Sequence, residues 1–329
     1  MTGENLNRNI LEEDNVFGGK APAERGLTLR ALLQEGTERL RASGIEEARL
    51  DARLLLQESF SVDAAHFLLR EGEALEKWLP DSAERQEKLL LWEQRLSRRA
   101  QREPLQQILG ETEFYGLPFR VTGDVLCPRQ DTETLVDMVL SEHENVDKSR
   151  RSFLDLCTGS GCIGITLRKI GGFGRGLCVD ISAAALTVAE ENAVRNLGTD
   201  ENLSFRQSDL FSAVGAYLAE NGMDGFDIIV SNPPYIRSAE ISKLAPEVRD
   251  YEPHLALDGK EDGLYFYRKI IGEAAAYLQP GGRLYLEIGY DQGEAVRELL
   301  RAAGFTDISI EKDLGGNDRV AAGRRKAGV

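Results

Sequence analysis

From residue 152 onward the sequence alternates between two periods, and that alternation restricts the fold more than any other feature. Short apolar runs at 153–156, 176–179, 203–206, 226–230, 284–288 and 308–311 read as strands, most too apolar to have a solvated face. Between them, 161–169, 183–196, 263–278 and 293–303 carry apolar residues at helical spacing. Strands buried on both faces and joined by helices are satisfied by a parallel sheet covered on both sides, because parallel neighbours need long crossovers. The fold class is therefore α/β, a Rossmann-like doubly wound sheet. A final run near 320–322, after Gly315-Gly316, predicts an antiparallel edge strand as the seventh.

The segments before it differ in kind. Residues 1–25 are polar and without periodicity and read as a mobile tail. Residues 26–103 read as a bundle of four or five helices, with stripes at Leu29, Leu32, Leu33 and Leu40, at Leu50, Leu54 and Leu55, and at Phe67 and Leu68 after Ser61 as N-cap. A further helix carries Leu89, Leu90, Trp92 and Leu96. Residues 104–126, with Gly110, Gly116 and Gly123, predict a β-hairpin linker. The α/β domain then occupies 127–329, opening with a helix over 131–140.

A net charge of −15 argues against a broad nucleic-acid-binding surface, which needs clustered Lys and Arg. The four cysteines have no paired CxxC spacing, so reduced thiols and no metal site are expected. No apolar stretch would span a bilayer, and the amino terminus lacks a signal-peptide core, which predicts a cytoplasmic protein. His66, His143 and His254 form no nucleophile–base set.

The predicted strand ends carry the chemistry. After the first comes Asp155-Leu156-Cys157-Thr158-Gly159-Ser160-Gly161, a glycine loop opening a helix, with Asp180 about 20 residues on at the end of the second strand and Asp209 after the third. A strand–glycine loop–helix unit binds nucleotides by close backbone approach at a helix N-terminus, and Asp180 is placed to accept from ribose hydroxyls. The three acids decide which nucleotide. A pyrophosphate beside Asp155 would be repelled, whereas S-adenosylmethionine carries an ammonium and a sulfonium and no phosphate, so it is preferred over a nicotinamide cofactor.

The fourth strand leaves through Ser231-Asn232-Pro233-Pro234-Tyr235-Ile236. Two prolines fix the turn and remove two donors. The Asn232 side-chain oxygen and the Pro233 carbonyl can together receive the two hydrogens of a planar NH2 group, with the Tyr235 ring as a stacking face. Acceptors set for a nitrogen leaving planarity bind the transition state better than the ground state, so Asn232 orients and stabilises without acting as a base.

At these residues the chain resembles the peptide chain release factor glutamine methyltransferases, the HemK-type family. The likeness rests on PLQQILGETEFYG, CPRQDTETLV, FLDLCTGSGCIGI, VDISAAALTVAEENA, SDLF, SNPPYI, PEVRDYEPHLALDGKEDGL and GGRLYLEIGYDQG, nearly end to end. It implies a Rossmann-like seven-stranded class I methyltransferase sheet joined by the hairpin to a helical substrate-recognition bundle. It also implies methylation, from S-adenosylmethionine, of the glutamine side-chain amide in the Gly-Gly-Gln loop of release factors. Residues carried over are Cys157, Thr158, Gly159, Ser160 and Gly161 around the methionine part, Asp180 on the ribose, Leu210 on the adenine, and Asn232, Pro233, Pro234 and Tyr235 on the glutamine amide. Arg129 and Glu133 fall in the family's segment near the active site. Gln107, Cys127, Gln130 and Cys157 depart from the usual pattern without touching the clamp. Alternatives are a ribosomal-protein glutamine methyltransferase, a nucleic-acid adenine methyltransferase, which would need a basic groove, and a non-catalytic binding module.

Overall fold

A computed structural model describes residues 26–327; the expected tail at 1–25 lies outside the described residues. The chain divides into two compact units, one ending at Ser97 and the other Arg98–Val329. The first contains α1 (Leu29–Ala42), α2 (Ala48–Phe60), α3 (Ala64–Arg70), the single turn α4 (Leu75–Trp78) and most of α5 (Ser82–Ala100). Leu29, Leu32, Leu33 and Leu40 are buried, as their spacing predicts. On α2 the buried stripe is instead Ala48, Ala52, Leu55 and Leu56, and Leu50 is exposed, as are Leu68 and Leu90. Ser61 is not an N-cap. It ends α2 in the left-handed region (φ 54°), and α3 is capped by Asp63, whose carboxylate accepts from His66 N at 2.7 Å.

The second unit opens with α6 (Leu105–Leu109) and a hairpin, β1 (Glu111–Phe114) with β2 (Leu117–Arg120). A 3₁₀ turn, Gln130–Thr132, leads into α7 (Glu133–Glu142). The alternation then runs β3 (Ser152–Leu156), α8 (Cys162–Lys169), β4 (Arg175–Asp180), α9 (Ala183–Leu197), β5 (Leu203–Gln207), α10 (Val214–Asn221) and β6 (Phe226–Ser231). Three short turns follow, α11 (Ser238–Ile241), α12 (Pro246–Arg249) and α13 (His254–Leu257). The chain closes with α14 (Tyr265–Tyr277), β7 (Leu278–Glu287), α15 (Gly293–Ala302), β8 (Thr306–Lys312) and β9 (Asp318–Arg324).

The sheet has seven strands in the order β5-β4-β3-β6-β7-β9-β8, with β3 to β7 parallel and β9 antiparallel to both neighbours. The run at 320–322 was expected at the edge. It lies inside the sheet, where Val320, Ala321 and Ala322 are all fully buried, and the half-exposed β8 takes the edge. Successive side chains on a strand face opposite ways. Leu154, Leu156 and Ile229 pack towards α10, α14 and α15, while Phe153, Cys178, Ile228 and Val230 pack towards α7, α8 and the hairpin aromatics Phe114 and Phe119. Among the described residues all four cysteines are free, and no helix is long and apolar enough to cross a membrane.

Candidate active site

Strand order reverses between β3 and β6, and open α/β sheets bind ligands at such a switch point, beyond the carboxyl ends of the strands. A cleft open to solvent lies there, at the carboxyl ends of the strands. Its wall brings together Cys157, Thr158, Gly159, Ser160, Asp180, Asp209, Leu210, Asn232, Pro234 and Arg129 from distant parts of the sequence. Asp155, Gly161, Pro233, Tyr235 and Glu133 are not part of that wall.

The glycine loop is held tightly. Cys157 and Leu210 both sit at positive φ (59° and 49°) without being glycine, and such strain concentrates at functional sites. Gly161 caps α8 at φ 80°, where a Cβ would also press on Ile165 at 2.9 Å. Asp180 accepts from Gly159 N through one oxygen and from Ser182 N through the other, each at 2.9 Å, so it ties the loop to the start of α9. Burial raises its pKa and these amide bonds pull it back. Asn192, wholly buried, donates to the carbonyls of Ser160 and Arg120 and accepts from Arg120 N, which fastens the loop to the hairpin.

Asp155 corrects the sequence reading. Placed two residues after Phe153, it points to the same face and under α8, not into the cleft. It is fully buried, accepts from Thr158 Oγ1 (2.6 Å) and Gly164 N (3.1 Å) on one oxygen, and has no partner on the other among the described residues. Burial pushes its pKa up to about 7, with the two hydrogen bonds opposing and Asp180 adding to the rise. Its work is to brace the loop from beneath.

Asn232 follows β6, and its Nδ2 donates to Thr132 Oγ1 at 3.3 Å, leaving Oδ1 without a donor among the described residues. Tyr235 is turned inward. Its ring packs on the main core, its hydroxyl lies 3.5 Å from Glu287 Oε1, and its carbonyl accepts from Gln292 Nε2 at 3.0 Å. The stacking face foreseen for it is thus largely used by the protein, and the aromatic in the cleft wall is Phe266, which the sequence reading missed. Arg129 is held by both oxygens of the buried Glu252 (2.7 and 2.8 Å) while its guanidinium remains at the cleft. Glu133 instead accepts from Tyr115 N at 2.7 Å and locks the hairpin turn, where Tyr115 has φ 54°. Of the residues lining the cleft only Arg129 is basic, and Glu252 offsets it, whereas Asp124, Asp180 and Asp209 are acidic. The cleft therefore suits a cationic nucleoside better than a phosphate-bearing one.

A mainly parallel seven-stranded sheet with one antiparallel strand inserted next to the last, and a glycine loop over its first strand, defines a Rossmann-like class I methyltransferase domain. The hMettl16 catalytic domain, solved in complex with MAT2A 3'UTR hairpin 6, shares this fold at a TM-score of 0.51 and 16% identity, over 71% of this chain and 82% of that one. Residues 31–110 match the PrmC N-terminal domain and 131–248 the Methyltransferase small domain. The release factor glutamine methyltransferase of Cereibacter sphaeroides is 44% identical over 295 residues, covering 90% of this chain and 98% of that protein. The protein of the same name from Moorella thermoacetica is 42% identical over 294 residues, covering 89% and 97%. The chain belongs to the release factor glutamine methyltransferase family and is a methyltransferase.

Proposed function

We propose that the chain methylates the side-chain amide nitrogen of the glutamine in the Gly-Gly-Gln loop of peptide chain release factors, using S-adenosylmethionine. Asn232 carries this reading: a rigid turn and Thr132 hold its amide, with Oδ1 free among the described residues at the end of β6. The cofactor would be held by the 157–161 loop, by Asp180 at the ribose hydroxyls, and by Asp209 and Leu210 at the adenine. When bound it supplies an electrophilic methyl group on a positively charged sulfur.

The protein's part is orientation and charge. An amide nitrogen is a weak nucleophile because its lone pair is delocalised into the carbonyl. Asn232 Oδ1 would accept one of its hydrogens and favour the pyramidal nitrogen of the transition state, while Pro233, outside the cleft wall, fixes the turn that carries Asn232. As the N–C bond formed and the S–C bond broke, with the thioether of the cofactor leaving, the nitrogen would become acidic and release its proton to water, so no base is needed beforehand. Phe266 stands in the cleft wall where a planar amide can lie against a ring, and Arg129 stands at the cleft for carbonyl oxygens of the bound segment.

Incubation with methyl-labelled S-adenosylmethionine and, separately, a purified release factor, ribosomal protein and DNA tests this reading. Label on the release-factor glutamine is expected. Label on ribosomal protein or DNA alone would refute it.

A further inference from the structure

Two stretches of the family's sequence pattern, LDGKEDGL at 257–264 and EIGYDQG at 287–293, contribute nothing to the cleft wall. They meet behind it at Gln292, which is 3% exposed. The turn over residues 289–292 closes on itself. Gln292 N donates to the Gly289 carbonyl and Gly289 N to Gln292 Oε1, both at 2.9 Å, which fixes the direction of the side chain. Its Nε2 is thereby turned to two carbonyl oxygens, that of Tyr235 at 3.0 Å and that of Gly263 at 3.3 Å. A primary amide has two N–H donors, and here each has its own acceptor. Gly263, at φ 74°, permits the approach, since a Cβ there would lie 2.5 Å from the Tyr235 carbonyl oxygen and 2.6 Å from Nε2.

We propose that Gln292 is a positioning residue for methyl transfer, setting the gap between Asn232 and Phe266 in which the substrate amide lies. This inference rests on the reading of Asn232 and Phe266 as the groups that hold that amide.

Each carbonyl held by Gln292 stands three residues from one side of the gap. Tyr235 is three residues past Asn232, across two prolines that leave the turn little freedom. Gly263 is three residues before Phe266, and the stretch between is short and tied: Asp262 accepts from Leu264 N at 3.0 Å, and α14 starts at Tyr265. The two segments are joined again further on, where Ile236 N donates to the Leu257 carbonyl (3.0 Å) and Gly259 N to the Ile236 carbonyl (2.8 Å). Those bonds lie beyond Tyr235 in the chain, whereas Gln292 holds the points nearest to Asn232 and Phe266. Without its two donors the carbonyls of Tyr235 and Gly263 would face each other unpaired, and the segments would move apart to relieve that cost. The partners of Gln292 are Tyr235, Gly263, Gly289 and, at 3.3 Å, the Tyr267 hydroxyl, none of them on the cofactor side of the cleft.

The test is single-turnover methyl transfer to a release factor, with cofactor and release factor both saturating. It compares native protein, Gln292→Met, Asn232→Ala and the double variant, with calorimetric cofactor titration and thermal unfolding of each. Gln292→Met keeps the length of the side chain and loses its hydrogen bonds. It should bind cofactor with native affinity and transfer roughly 10- to 100-fold more slowly, the scale of a displacement of about 1 Å at a reacting centre. Gln292 acts by setting Asn232 against Phe266, so its loss should matter little once Asn232 is gone, and the double variant should be about as fast as Asn232→Ala alone. A native rate in folded Gln292→Met, or a double variant in which the two losses multiply, overturns the positioning role and leaves Gln292 a brace for the fold. Should Gln292→Met not fold, Gln292→Glu carries the same comparison, because it keeps the shape and the acceptor for Gly289 N with at most one hydrogen for the two carbonyls. A native rate in Asn232→Ala would instead sink the clamp reading, and this inference with it. If the native protein methylates another glutamine-bearing protein and no release factor, the substrate assignment falls, and the same variants decide the role of Gln292 on that substrate.

Discussion

Replacing Asp180 with alanine probes the cofactor side of the cleft more sharply than any other single change. Its carboxylate accepts from Gly159 N and Ser182 N at 2.9 Å each, so the variant frees two amides as well as any ribose hydroxyls. Hydrogen bonds to a charged group contribute about 1.5–3 kcal/mol each, but the half-buried site lets the freed amides regain water, so the loss of folding stability should be about 2–3 kcal/mol. Cofactor binding loses the ribose contacts and the fixed loop, together about 2–4 kcal/mol, or roughly 30- to 1,000-fold in Kd. Calorimetric titration with S-adenosylmethionine reads the second quantity and urea unfolding the first. Asp180→Asn, which keeps one acceptor oxygen, should fall between. Burial raises the Asp180 pKa, and binding needs the charged form, so affinity should weaken as pH falls through that raised value, with a flat profile in Asp180→Asn. Native affinity in a destabilised Asp180→Ala would refute the reasoning and leave Asp180 only a brace for the loop.

Asn232→Ala should keep its cofactor affinity and lose about 10²–10³ in single-turnover rate, because one preorganised acceptor at the reacting centre is removed; a native rate would sink the clamp. Tyr235→Ala should cost about 3 kcal/mol by opening the core edge, whereas Tyr235→Phe, losing a 3.5 Å contact, should stay within about 1 kcal/mol, both read by denaturant unfolding. Gly164→Ala places a Cβ 2.4 Å from Cys178 Sγ and 3.1 Å from Asp155 Oδ2, so α8 must move off the sheet; about 1–3 kcal/mol of stability should be lost along with cofactor affinity. Asp155 has a pKa raised to about 7, so its contribution to stability is full below the ordinary aspartate range and is lost as pH rises through about 7. The stability of the native protein relative to Asp155→Asn should therefore decline over that interval, and a constant difference would contradict the buried, proton-holding state.

The sheet was legible because buried strands and amphipathic helices leave different periods in a sequence. The strand ends followed, since Asp180, Asp209 and Asn232 each close an apolar run and reach the same cleft. Side-chain direction was not legible. Asp155 looked like a fourth group at that cleft, but its place on the same face as Phe153 sends it under α8. Tyr235 read as a free aromatic because nothing in its own segment announces Glu287 or Gln292, which lie far along the chain. The α10 helix was hidden by its brevity and Gly215, and α11 to α13 by turns too short to show a period. Thr132 read only as a residue near the start of the helix over 131–140, and its burial depends on contacts no local pattern records.

The place of β9 bears on how the molecule is made. Residues 318–324 fill the gap between β7 and β8, so neither strand has that neighbour until both have already left the ribosome. Up to that point β5, β4, β3, β6 and β7 can zip in parallel, but the far side of β7, with Tyr285 and Leu286 made to be fully enclosed, remains an open edge. A nascent chain stalled before Asp318 is consequently a sticky, unfinished sheet and not a smaller enzyme. Truncation ahead of Asp318 should yield aggregates or chaperone clients, in proportion to how long that edge waits for its partner.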